Sequence, residues 1–126
     1  MFLTETTSTI LLRLHFGDIS LATLVSTEER VMVSFTVRMR FDAEDREQVT
    51  ELLRSLAEES RREPGCVVYV PHRVEGEPDT VLIYEQYVDG AALDFHRASA
   101  HFRRYAIQGL YQLLRERASE NLSALI

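Results

Sequence analysis

The alternation of apolar and polar residues becomes regular after Met32 and predicts a succession of strands and helices. From Val33 to Phe41 every second residue is apolar, the period of two that marks a strand with one apolar face. Asp42 follows as a candidate helix N-cap, with acidic residues in the first turn, where the helix dipole favours negative charge. The helix itself is indicated by apolar residues at helical spacing, which are Val49, Leu52, Leu53 and Leu56.

The rest of the chain predicts a strand hairpin, two helices and a final strand. Glu63-Pro64-Gly65 ends the first helix, and Asp89 is a candidate cap for the second. In chain order, the later elements are a strand over 66–74, a turn at 76–79, a strand over 80–88, a short helix over 90–98, a longer helix from Ser99 to about Arg115, and a partly alternating strand over 120–126. The order βαββαβ predicts an α+β, ferredoxin-like fold, an antiparallel four-stranded sheet with helices on one face.

The predicted strands carry apolar residues on both faces. In the third strand, Val81, Ile83 and Tyr87 share one face, and Leu82 and Tyr84 share the other. Strands that are apolar on both sides are buried on both sides, and the helices cover only one. A second copy of the chain, packed sheet against sheet, is therefore expected, and the protein is predicted to be a homodimer.

Residues 1–30 differ from the domain predicted over 31–126. They are rich in Thr and Ser, and their apolar residues show no sustained period. One interpretation is an added segment or a translation start placed too far upstream. The other is a short strand around Thr9–Phe16, favoured slightly because Ile10, Leu12 and Leu14 alternate with other residues.

Composition narrows the classes of function. The formal net charge of −6 argues against nucleic acid or an anionic membrane as partner, and all fourteen basic residues are arginine, which excludes a lysine base. Cys66, the single cysteine, is expected to fill space in a strand. No residue spacing is typical of a structural metal site, so no metal is predicted. No apolar run suits a membrane span or signal peptide, and a cytoplasmic location is expected.

Three short motifs carry a family resemblance: Glu63-Pro64-Gly65-Cys66 followed by Tyr69, Leu82-Ile83-Tyr84-Glu85 followed by Tyr87, and His96 followed by Ser99, His101 and Phe102. In their order and spacing they resemble the antibiotic biosynthesis monooxygenase family over roughly residues 32–126. The resemblance implies a dimeric α+β barrel that oxidises electron-rich phenols, quinols or polyketide aromatics with dioxygen, using no metal, flavin or haem. Two departures stand out, both of which weaken a haem interpretation: Tyr87 replaces the family's usual Trp, and Ala106 lies near the place of the haem-ligand histidine in the haem-degrading branch.

Oxygenation without a cofactor requires a base that converts the substrate to an electron-rich anion. His96 and His101 are candidates for base and hydrogen-bond donor, and His101 lies in a first helical turn, where the dipole favours a neutral ring. The alternative is that both histidines only hold the helix break together by binding free backbone groups. Glu85 either orients a histidine or forms an internal salt bridge with Arg38 or a histidine. Arg38 is also a candidate substrate-binding residue.

Aromatic residues could line the substrate pocket and supply phenol donors. Each is also a candidate for core or dimer interface. Arginines in the pairs 61–62 and 103–104 and around Glu116 are interpreted as solvated helix faces. The candidate pocket residues are Tyr69, Tyr84, Tyr87, Phe95, Phe102 and Tyr105.

The leading hypothesis is a cofactor-independent monooxygenase that takes a small aromatic substrate and dioxygen. The alternatives are a non-catalytic small-molecule binding or stress-response module on the same fold and, less favoured, a haem-degrading monooxygenase. A cavity of a few hundred cubic ångströms that His96 or His101 faces would favour the enzyme. A pocket filled by Phe and Leu side chains would favour the module.

Overall fold

The computed structural model describes residues 31–126, so the predicted strand around Thr9–Phe16 lies outside the described residues. Two short helices share the second helical position of the predicted βαββαβ order, and the ferredoxin-like α+β prediction is confirmed. The elements are β1 (Val33–Arg40), a 3-10 turn (Ala43–Asp45), α1 (Arg46–Ser60), β2 (Cys66–Val74), β3 (Glu77–Tyr87), α2 (Gly90–Arg97), α3 (π-helical over Phe102–Leu110, then α-helical over Tyr111–Leu113) and β4 (Glu116–Leu122).

The four strands form one antiparallel sheet in the order β2-β3-β1-β4. The alternation of apolar and polar residues along β1 determines which face of the sheet the helices cover. Phe35, Val37 and Met39 are buried, whereas the residues between them are not. Helices α1 and α3 lie over this face and close the core, as predicted, through the buried residues Val49, Leu53, Leu56, Ala57, Ala106 and Leu110.

The last strand was predicted in the wrong place. Strand β4 runs over Glu116–Leu122 and pairs with β1 from Arg40↔Glu116 to Ser34↔Leu122. All seven of its residues are exposed, so it shows no apolar period, and the apolar end of the chain that suggested a strand over 120–126 lies mostly beyond it. The prediction that Arg117 lies on a solvated helix face is wrong for the same reason.

The chain differs from prediction at two further places. Asp42 lies at the predicted N-cap position, but its side chain makes no capping bond and instead accepts from Arg115 at 2.6 Å. Strand β3 begins at Glu77, so the hairpin turn shortens to residues 75 and 76. Gly76 has φ +84°, a left-handed conformation that glycine adopts without steric strain.

The helices of the described residues are short, and none is long and apolar enough to cross a membrane. The longest, α1, has fifteen residues and carries several charged side chains.

Candidate active site

Glu63 occupies the turn between α1 and β2, and its side chain is 3% exposed. Two residues later, Gly65 allows α2 to come close, because a Cβ at this position would lie only 2.4 Å from the Cβ of Ala92. This close approach places His96, the buried residue of α2, against the Glu63 carboxylate.

The Glu63 carboxylate joins two imidazoles. Its Oε2 atom lies 2.9 Å from Nδ1 of His96 and 2.5 Å from Nε2 of His101. Because a carboxylate only accepts hydrogen bonds, both of these nitrogens carry the proton that they donate. The neutral ring of His96 therefore has its lone pair on Nε2, which makes no hydrogen bond to a described residue.

His96 is enclosed by aromatic rings and is 2% exposed. Its ring centroid lies 5.1 Å from that of Phe102 and 5.2 Å from that of Tyr87. Burial lowers the pKa of His96 below 6.5, and the hydrogen bond to Glu63 opposes this only in part. His96 is consequently neutral at neutral pH, as a general base must be.

Glu85 lies on the other side of His96, with Oε1 at 4.0 Å from the free Nε2. The phenol of Tyr87 donates to the same oxygen at 2.7 Å. Burial raises the pKa of Glu85 to about 7, and it also raises the pKa of Tyr87 well above its usual value. Near neutral pH, Glu85 is therefore present both as an acid and as a carboxylate, whereas Tyr87 remains a hydrogen-bond donor.

Ser99 holds the junction between α2 and α3. Its hydroxyl donates to the His96 carbonyl at 2.7 Å and accepts from the Phe102 amide at 3.1 Å, the bond expected of the predicted N-cap. Asp89 caps α2 in the same way by accepting from the Ala92 amide at 2.8 Å. The imidazoles of His96 and His101 are directed at Glu63 instead of at backbone groups of this junction.

A cavity of about 40 Å³ lies between the sheet and α3, next to His96 and Glu85. A water molecule occupies about 30 Å³ of the liquid and a cavity of about 150 Å³ binds benzene, so this space suits one water and is too small for an aromatic ring. The polar residues of the described part of the chain that line it are Glu85, His96, Arg97, Arg117, Tyr69 and Tyr111. The cavity thus has the chemistry expected of the pocket and not the expected volume.

The structure brings some of the predicted residues to this cavity and leaves others away from it. His96, Glu85, Tyr69 and Phe102 line it, and Tyr87 reaches it through Glu85. His101 reaches it only through Glu63 and His96, and Tyr84 has the parity of the opposite face. Arg38, Phe95 and Tyr105 do not line it.

The predicted Arg38–Glu85 pair does not form. Arg38 lies across from Leu82, on the face opposite Glu85, and its guanidinium bonds Glu77 at 2.8 Å. Phe95 is 58% exposed on α2. Tyr105 is half-buried, with the guanidinium of Arg104 at 5.3 Å from its ring centroid.

Glu63, Arg97 and Arg117 were not predicted as site residues. The position of Glu63 in the sequence could have identified it. A carboxylate just beyond a helix C-terminus lies at the negative end of the helix dipole, which is unfavourable, so it needs a specific partner. The two arginines gave no such signal, since their position depends on where α2 ends and on the register of β4.

Glu63, His96 and His101 also form a possible donor set for a divalent cation, with their ligand atoms within 4.8 Å of one another. A metal ion about 2.1 Å from each donor would hold neighbouring donors roughly 3 Å apart. The Glu63 and His101 atoms lie 2.5 Å apart, so the present geometry is that of a hydrogen-bonded cluster.

Known proteins are similar to this chain both in sequence and in fold. Residues 32–107 match the family model described as antibiotic biosynthesis monooxygenase. The candidate monooxygenase YcnE of Bacillus subtilis is 31% identical over 78 residues, covering 62% of this chain and 82% of that protein. A crystal structure of an antibiotic biosynthesis monooxygenase superposes with a TM-score of 0.70 at 25% identity, covering 75% of this chain and 99% of the other. PA3566 from Pseudomonas aeruginosa gives 0.72 at 26% identity, with coverage of 79% and 99%.

Proposed function

Since this chain belongs to the antibiotic biosynthesis monooxygenase family, we propose that it is a cofactor-independent monooxygenase that oxidises a small phenol, quinol or polyketide-like aromatic with dioxygen. The observation that carries the proposal is the state of His96. Its ring is neutral at neutral pH, and its Nε2 atom makes no hydrogen bond to a described residue and faces Glu85 beside the cavity.

In this mechanism Nε2 of His96 takes the proton from the substrate hydroxyl. The imidazolium that forms is stabilised by Glu63, which already accepts the hydrogen bond from Nδ1. Glu85, when protonated, donates a hydrogen bond to the oxygen anion of the substrate, because its pKa of about 7 keeps part of the population in the acid form.

The substrate anion then supplies the electrons. With a quinol, one oxygen atom of dioxygen enters a ring C–H bond and the other leaves as water, so a quinol and dioxygen give a hydroxyquinone and water. The substrate itself loses the four electrons that dioxygen gains, and no external reductant is required.

The proposal requires the cavity to enlarge when an aromatic ring binds. Its edge is formed in part by the exposed side chains of Arg97 and Arg117, and we propose that the cavity enlarges at this edge, away from the core. The small volume of the cavity favours the alternative hypothesis of a non-catalytic small-molecule binding module. Haem degradation has less support, because the buried Ala106 lies near the place of the haem ligand.

The experiment measures oxygen uptake with a panel of reduced naphthoquinols under ¹⁸O₂, for the wild-type protein, His96→Gln and His72→Gln. His72 is the matched control because it is exposed on β2 and does not line the cavity, and since it lies beside Leu82 on the proposed dimer face, the mass of His72→Gln is first checked against wild type. We expect uptake above autoxidation, one ¹⁸O atom in the product, and loss of both in His96→Gln only. Uptake at the blank level across the panel, or unlabelled quinone with peroxide, would refute the oxygenase.

We also propose the homodimer, because Val70, Leu82 and Tyr84 form an apolar area on the sheet face opposite the helices. Light scattering is expected to give twice the chain mass of 14.5 kDa, and Leu82→Arg is expected to give the single mass. A wild-type protein at the single mass would refute the dimer.

A cytoplasmic location remains a prediction.

A further inference from the structure

Two arginines stand at the edge of the cavity, on different elements. Arg97 is the last residue of α2, directly after His96. Arg117 lies in β4 across from Met39, whose side chain is buried in the core, so Arg117 is directed to the same face of the sheet. Both line the cavity together with Glu85, and both are exposed.

Neither guanidinium is paired with an acid among the described residues. In contrast, the salt bridges of this part of the chain engage the arginines 38, 40, 46, 54, 62 and 115. Arg97 lies over the ring of Phe35, with 5.9 Å from its guanidinium carbon to the ring centroid. That contact leaves the guanidinium hydrogen-bond donors available.

The two arginines place two positively charged groups at the edge of the cavity. Both act to lower the pKa of Glu85, although burial outweighs them. Among the described residues that line the cavity, Glu85 is the one acid, and with a pKa of about 7 it is protonated in part of the molecules at neutral pH, so it does not cancel two guanidinium charges. A cavity edge with apolar walls and two arginines that form no salt bridge to a described residue suits a ligand that has a negative group attached to an aromatic ring.

We propose that the substrate carries a carboxylate next to its aromatic ring, and that Arg97 and Arg117 bind this carboxylate at the cavity edge while the ring enters toward His96. That this ligand is oxidised rests on the proposed function. That it carries a carboxylate rests only on the two arginines. A planar carboxylate fits because its two oxygens match the planar set of guanidinium donors, and its single charge is repelled less by ionised Glu85 than a dianion would be.

The test measures binding, so that it does not depend on turnover. Calorimetry compares 1-hydroxy-2-naphthoate with 1-naphthol, which differ only in the carboxylate. The variants are Arg97→Gln, Arg117→Gln and the double substitution, and Arg103→Gln is the matched control because Arg103 is exposed on α3 and does not line the cavity.

We expect the wild-type protein to bind the carboxylate about tenfold more tightly than 1-naphthol, as for a charge-assisted contact. Each cavity-edge substitution is expected to reduce that preference, and the double variant to abolish it, while Arg103→Gln retains it. Equal binding of the two compounds, absence of carboxylate binding, or a preference that survives in the double variant would overturn the inference. Arginine-dependent binding without ¹⁸O incorporation would sustain it and refute only the oxygenase.

Discussion

Replacing Glu85 by Gln is expected to make the protein more stable at alkaline pH. Raising the pKa of Glu85 from 4.5 in the unfolded chain to about 7 in the folded protein means that the folded state holds this proton more tightly. The stabilisation from this proton is complete below pH 4.5 and is lost as the pH rises through 7. At about 1.4 kcal/mol per pH unit, the ionised side chain destabilises the fold by about 3 kcal/mol above pH 8.

The isosteric amide in the Glu85→Gln variant has no proton to lose, and its oxygen can still accept from the Tyr87 hydroxyl. Urea unfolding at a series of pH values is therefore expected to show Glu85→Gln about 3 kcal/mol more stable than wild type at pH 8.5, with the difference falling below about 1 kcal/mol at pH 4.5. Glu59→Gln is the control, because Glu59 forms a surface pair with Arg62, and loss of such a pair should change the free energy of unfolding only slightly. A flat difference for Glu85→Gln would show that this carboxyl does not have a raised pKa.

Three further predictions concern the same region. Glu63→Gln is expected to lower kcat for quinol oxidation by about 100-fold, because an amide stabilises the His96 imidazolium poorly; a wild-type kcat would contradict the proposed role of Glu63. In ¹⁵N NMR titrations His96 should have a pKa below 6.5, and a higher pKa would contradict a neutral ring at neutral pH. Because the folded state favours the neutral ring, the contribution of His96 to the free energy of unfolding is lost as the pH falls below 6.5. Gly65→Ala should destabilise the protein by about 1–3 kcal/mol in urea unfolding because the new Cβ meets Ala92; Gly90→Ala, with open space around it, should not.

The sequence periods predicted those parts of the fold in which one side of an element is buried. The alternation from Val33 to Phe41 correctly gave β1 and its core face, and the helical spacing of Val49, Leu53 and Leu56 gave α1. Strand β4 was misplaced because none of its residues is buried, which leaves no apolar period to detect. Burial produces the signal, so an exposed edge strand gives none.

The residues that the structure brings together in the candidate site were predicted in part. His96, His101 and Glu85 were identified by chemistry and resemblance, yet Glu63 is separated from His96 by 33 positions in the chain, and no local pattern joins them. The error about Arg38 has a similar cause. Whether Arg38 and Glu85 share a sheet face depends on the β1–β3 register, which sequence spacing alone does not determine.

The polarity of β4 has a consequence for behaviour at high concentration. An edge strand presents unpaired backbone groups, and a flat apolar edge invites the addition of strands from other molecules and so aggregation. On the face of β4 opposite the core, the charged residues Glu116 and Glu120 alternate with Ala118 and Leu122 and interrupt what would be an apolar row. The two glutamates therefore protect this edge against fibril-like assembly, and Glu120→Val would leave only Glu116 in that role.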